Sequence, residues 1–255
     1  MKWSNIKNMM LALLIVMNVF ILGSILAKRL SGERIPPLVN TAAVQAMENS
    51  DIVCDRKLLP ENYLTMRTFT GSFPSAVELS RMFFGEQLAF QTEERTLIAR
   101  QGEAELRVED ERFWYSSGLT PVKAGENELR RALKELGLDM SRAVYSREEG
   151  QFNLKYDDRT VFGMYIRASL TEDGQIAQLE ASWPVINSSV TRRTGISIIG
   201  CIPALLERFP EGGTVAGLEA GYSAVVNENT DLYSFEPAWR ITMNNGDSET
   251  FLNEE

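Results

Sequence analysis

Runs of adjacent carboxylates, such as Glu93-Glu94, Glu109-Asp110-Glu111, Glu148-Glu149 and Asp157-Asp158, are residues of this chain whose types could do chemistry. Two carboxyls can share acid and base duty on a glycosidic bond, but only if they flank a cleft, and adjacency along the chain does not arrange that. The same residues could ligate calcium. No stretch, however, has the alternating oxygen ligands and closing Glu of an EF-hand loop. Most of the runs fall at expected turns between strands, where such charge is ordinarily solvated surface.

Other chemistries meet firmer limits. Histidine is absent, which removes Ser-His-Asp and Cys-His catalysis, His-ligated zinc and the HExxH arrangement. The two cysteines, Cys54 and Cys201, are far apart and form no CxxC. A disulfide between them stays open, while the apolar run Ile198-Ile199-Gly200-Cys201-Ile202 favours a buried thiol. Gly212-Gly213 and Gly217 are not followed by Lys-Ser/Thr, so they are no phosphate loop. Asn187-Ser188-Ser189 matches a glycosylation sequon, a pattern common by chance. No cofactor and no metal site is expected.

A net charge of −9 argues against a nucleic-acid partner, because phosphate backbones demand a basic surface. Hydrophobic content of 44% with 24% charged residues is sufficient for a core. Residues 9–27 carry no charge and are bracketed by Lys2 and Lys7 before and Lys28-Arg29 after. That length approaches the roughly 30 Å of a bilayer's hydrocarbon. Ile25 spoils the small-x-small site a cleaved signal would need at Ala27. The expectation is an uncleaved anchor in the membrane lipid, its N-terminus cytoplasmic and the bulk of the chain extracytoplasmic. Asn18, Gly23 and Ser24 are its candidate contacts with a partner helix.

The elements that would position any site are helices and alternating strands. Residues 38–48 read as a short helix. Residues 75–84, entered at Pro74 and closed by Gly85, read as another, and 126–136, ended by Gly137, as a third. Strand-like segments follow at 87–90, 96–99, 105–108 and 112–115, then at 142–145, 152–156, 161–170 and 176–183. A third unit runs from an apolar helix at 198–209 into strands at 214–226, 238–243 and 249–252. The expected fold class is α+β: one transmembrane helix, then antiparallel meanders each covered by a helix. The expected divisions are a tail and anchor at 1–30, a linker at 31–37, and extracytoplasmic domains at 38–120 and 121–255. Pro237 and Trp239 could begin an exposed recognition edge, or Trp239 could plug the core; Tyr222 and Tyr233 carry the same alternative.

The two ends of the chain resemble the YycH/YycI regulatory proteins. The carriers are Met1-Lys2-Trp3-Ser4-Asn5-Ile6-Lys7 before the apolar run, and Gly221-Tyr222 with residues 233–241 and the last hairpin. The resemblance implies PepSY-like repeats and a membrane-anchored, non-enzymatic regulator of cell-wall metabolism. Its implied partners are a WalK-type sensor histidine kinase and a companion YycH-like protein. Alternatives are an anchored envelope module that binds a ligand or inhibits a protease, and a wall-glycan hydrolase working through Asp/Glu pairs.

Overall fold

The computed structural model describes residues 37–61, 64–196, 198–226 and 232–252. In chain order the first half holds α1 (Pro37–Glu48), β1 (Ile52–Cys54), β2 (Leu64–Ser72), α2 (Ala76–Phe84), β3 (Gln91–Glu93), β4 (Thr96–Gln101), β5 (Ala104–Glu109) and β6 (Arg112–Ser116). The second half holds α3 (Glu126–Glu135), β7 (Ala143–Ser146), β8 (Gln151–Tyr156), β9 (Arg159–Leu170), β10 (Ile176–Ser182), β11 (Val185–Ile196), α4 (Ile202–Arg208), β12 (Gly213–Val226), β13 (Tyr233–Met243) and β14 (Ser248–Leu252).

The helices start and stop for local reasons. The Ser75 hydroxyl accepts from the Glu78 amide at 3.3 Å, and the Glu78 carboxylate accepts from the Ser75 amide at 2.8 Å. This reciprocal cap opens α2, and Gly85, at φ 76°, closes it in a left-handed conformation that costs glycine little. In α3, Leu129, Ala132 and Leu133 share the buried face, while Arg130 reaches the carbonyls of Met140 and Ala143, each at 3.1 Å. That arginine ties the helix to the loop and strand that follow it.

The strands form one open sheet in the order β11-β2-β13-β12-β9-β10-β6-β5-β4-β3, with β1 beside β12, β14 beside β13, and the β7–β8 pair beside β9. Most ladders are antiparallel, but β1 runs parallel to β12, and β9 meets β12 in parallel at Val161 and Tyr222. β9 is the seam of the sheet. Its start touches β12, its end pairs with β10 from Tyr165 onward, and Gly163 at φ 78° lies between. A single apolar core includes residues of all four helices, such as Met47, Leu79, Leu133 and Leu205, with the inward residues of the strands. At its centre Phe69 stacks on Tyr156 at 3.9 Å and on Phe235 at 4.7 Å, and meets Tyr222 edge-on at 5.0 Å.

This architecture corrects the expected fold class. The meanders are not separate units each under its own helix: they join a single mixed sheet. α1 and α4 contact one another, and Phe83 of α2 stacks on Tyr115 of β6 at 4.3 Å. The expected anchor at 9–27, with Asn18, Gly23 and Ser24, lies outside the described residues. The four helices that are described have 12, 9, 10 and 7 residues, against about 20 for a bilayer span. No helix among the described residues is long and apolar enough to cross a membrane, so the expected single-pass topology and extracytoplasmic placement are withdrawn.

Candidate functional site

Alternation puts every second residue of a strand on the face opposite the core. In β5 these are Glu105, Arg107 and Glu109, and in β6 Trp114 and Ser116, while Leu106, Val108 and Phe113 point inward and are buried. The ladders align these outward residues across five strands. In the middle row Ile98 stands beside Arg107, Arg107 beside Trp114, Trp114 beside Glu180, and Glu180 beside Arg167. The row above it runs Arg100, Glu105, Ser116, Gln178 and Ser169.

The resulting open cleft has a volume of about 1000 Å³. Trp114 is half-buried at its centre, and Ile98 is only 4% exposed although it lies on this outward side, apart from the main core. An aliphatic and an aromatic side chain therefore make an apolar floor within a polar frame.

The frame is held by two carboxylates. Glu105 accepts from Arg100 Nε at 2.6 Å and from Arg107 Nε at 2.5 Å. These donors, Arg100 first and Arg107 second, hold its carboxyl below the usual carboxylate range. Glu180 accepts a hydrogen bond from the Tyr165 hydroxyl and pairs with Arg167 Nη1 at 3.4 Å. Burial, then the bond to Glu180, pushes the Tyr165 phenol above its ordinary value. Arg167 also donates to Gln151 Oε1 at 3.0 Å, and Gln151 donates to Asn153 at 2.9 Å. Such a network fixes side chains in place more than it stabilises the fold, because exposed ion pairs contribute only about 0–1 kcal/mol each.

A general acid needs its pKa raised towards neutrality. Glu105 is shifted the other way, so the best-held carboxylate here is poised to remain charged. The face can present fixed charges, hydrogen-bonding groups and an aromatic ring to a ligand.

Of the residues singled out from the sequence, Glu93, Glu94 and Glu109 border the cleft, and the other described ones lie elsewhere. Tyr222 and Trp239 are 1% and 3% exposed on the core side of β12 and β13, and Pro237 is buried opposite Tyr222. Burial, with backbone contact from Arg67 opposing it, pushes the Tyr222 phenol up to about 12. The carboxylate runs sit at hairpin turns, with Glu94, Asp110, Asp157 and Asp158 at φ 56°, 49°, 47° and 60°. Among the described residues no group of three His, Cys, Asp or Glu side chains could hold a metal ion. Cys54 and Cys201 are both buried, and the Cys201 thiol donates to the Leu252 carbonyl at 3.5 Å. The Arg107–Trp114–Glu180 row was not singled out. Its local signal is the alternation Glu105-x-Arg107-x-Glu109 followed by Arg112-x-Trp114-x-Ser116.

No protein-family model matches the chain, and no curated protein matches it. The likeness of the two termini to YycH/YycI proteins, and the PepSY-like repeats it implied, are therefore corrected: the chain is an open α+β sheet without that family's signature. The implied function of a membrane-anchored kinase regulator, and the anchored envelope module beside it, are withdrawn with the resemblance that carried them.

Proposed function

We propose that this protein is a non-enzymatic recognition module that receives an extended segment of a partner protein across the open face of β4, β5, β6, β10 and β9. The observation that carries this reading is the middle row, with Trp114 framed by Arg107 and Glu180 and a buried Ile98 in the same row on the side opposite the core. A soluble surface seldom spends a large aromatic and an aliphatic residue on its polar side without use, and tryptophan and arginine are the side chains that dominate binding energy in protein interfaces. Five strands at about 4.8 Å spacing span roughly 20 Å, which some six residues of extended chain would cross.

The test uses an array of peptides of about eight residues and varied composition, long enough to cross the five strands, probed with the purified full-length protein. Retention on a subset of the array is expected. Trp114→Ala should weaken it by about 2 kcal/mol or more, the usual cost of losing a central aromatic contact. Val53→Ser, on an exposed residue of β1, should leave it unchanged. If no peptide is retained, or if Trp114→Ala and Val53→Ser behave alike, the reading fails.

A further inference from the structure

We infer that the segment received on this face is basic, an inference that rests on the recognition reading above and adds the chemistry of the partner. The cleft is lined by the carboxylates of Glu93, Glu94, Glu105, Glu109 and Glu180, against the guanidiniums of Arg107 and Arg167. Glu105 and Glu93 pair with Arg100 and Arg107, and Glu180 with Arg167, so three carboxylates and three guanidiniums cancel within the protein. The remainder is concentrated at one corner, where the β3–β4 turn meets the end of β5. There Glu93 is 4.0 Å from Arg100, and neither Glu94 nor Glu109 has an ion-pair partner within 4.0 Å among the described residues. Arg112 faces Glu109 across the β5–β6 ladder without closing a pair with it.

The arrangement is more than surface acidity. The unpaired carboxylates border the same cleft whose centre is the half-buried Trp114 ring, and an aromatic face attracts a cation with its quadrupole. The buried hydroxyl oxygen of Ser169, on the far side of the cleft, has no hydrogen-bond partner. A lysine- or arginine-bearing strand laid along the row from Ile98 to Arg167 would set one cation against Trp114 and another between Glu94 and Glu109. An acidic segment would meet the same corner with like charge and be repelled. The protein's net charge of −9 adds long-range attraction for such a partner.

The experiment measures three eight-residue peptides, alternating Lys-Ser, Glu-Ser and Gln-Ser, against the purified full-length protein by calorimetry and tryptophan fluorescence at low and high salt. The Lys-Ser peptide should bind and the Glu-Ser peptide should not. Its affinity should fall as salt shortens the screening length from about 10 Å at 0.1 M to about 3 Å at 1 M. The double variant Glu94→Gln/Glu109→Gln should weaken it about tenfold, taking each exposed charge contact as worth about threefold. Glu94→Asp/Glu109→Asp, which keeps the charge, should restore most of that loss. Lys-Ser binding indifferent to both Trp114→Ala and the Gln pair is attraction elsewhere on an acidic surface and overturns the inference. Gln-Ser or Glu-Ser binding as tight as Lys-Ser, and lost in Trp114→Ala, overturns the basic partner while keeping the recognition face. Binding of none of the three overturns the inference. The recognition reading beneath it falls separately, to an empty peptide array or to an array on which Trp114→Ala and Val53→Ser behave alike.

Discussion

Gly221 lies under the ring of Phe162: a Cβ placed on this glycine would come within 2.5 Å of Phe162 Cζ and would press on the Thr160 carbonyl oxygen. The contact is at the seam, one residue from the Val161–Tyr222 bridge that joins β9 to β12. Arg240 of β13 lies over the Phe162 ring, 4.1 Å from its centroid, which restricts the ring's movement. Gly221→Ala should therefore destabilise the fold by about 1–3 kcal/mol, the ordinary cost of overpacking, and more if the strands part. The midpoint and slope of urea unfolding check it. An unchanged midpoint would mean that the seam is looser than this packing.

Tyr222 turns the other way, into the core beside Phe69 and Tyr156. Its phenol is pushed up to about 12 by burial, so the folded state holds that proton where the unfolded chain would release it. Stability from this group is complete below the unfolded value near 10 and is lost as pH rises through about 12. Wild-type stability should fall across that window, and Tyr222→Phe should flatten the fall. Tyr115 and Tyr165 are shifted in the same direction, so a smaller slope remains in the variant. Chemical denaturation in steps of pH measures both curves.

At acid pH the cap of α2 supplies a local probe. Hydrogen bonds from the Ser75 amide and then the Ser75 hydroxyl hold the Glu78 carboxyl below its usual range. Its contribution is present above the unfolded carboxylate value and disappears as pH falls through the lower, folded one. Ser75→Ala should cost about 1 kcal/mol at neutral pH, because the Glu78 amide loses its acceptor. The cost should shrink in acid, once Glu78 is protonated and half of the reciprocal cap has already gone in the wild type. Thermal melts of both proteins at neutral and acid pH give the comparison.

Local signals survived the passage from sequence to structure where the physics is local. Pro74 and Gly85 bracket α2, Gly137 follows α3 at φ 100°, and Gly174 turns the β9–β10 hairpin at φ 79°. The strands β2 and β11 left no such mark. Thr, Ser and Arg fill them, register shifts break their alternation at Ile186/Ser188 and Ser189/Arg193, and each pairs with the other across more than a hundred residues. The segment 87–90 reads as a strand, yet buried Ser80 holds its start as a loop: its hydroxyl donates to the Glu86 carbonyl and accepts from the Leu88 amide, each at 2.9 Å. The open face is hidden for a related reason. Arg107 meets Trp114 in the β5–β6 hairpin and Glu180 meets Arg167 in the β9–β10 hairpin, but the two pairs join into one row only when β10 pairs with β6, which no short-range pattern encodes.

The paired carboxylates Asp157 and Asp158 illustrate how a chemical-looking motif can be a conformational one. Both adopt positive φ, 47° and 60°, in the two-residue turn between β8 and β9. Two successive left-handed residues let the turn's twist match the strands it joins, and Asp tolerates that region better than most side chains while still paying some strain there. Asn-Gly is the pair best suited to such a turn, since glycine enters it without a Cβ penalty. Asp157→Asn/Asp158→Gly should thus hold or raise stability by a few tenths to about 1 kcal/mol, while Asp158→Val should lower it, because a β-branched residue is strongly disfavoured at positive φ. A role for the carboxylates themselves predicts the reverse, a loss in both variants alike. Urea unfolding of the two proteins separates the two cases.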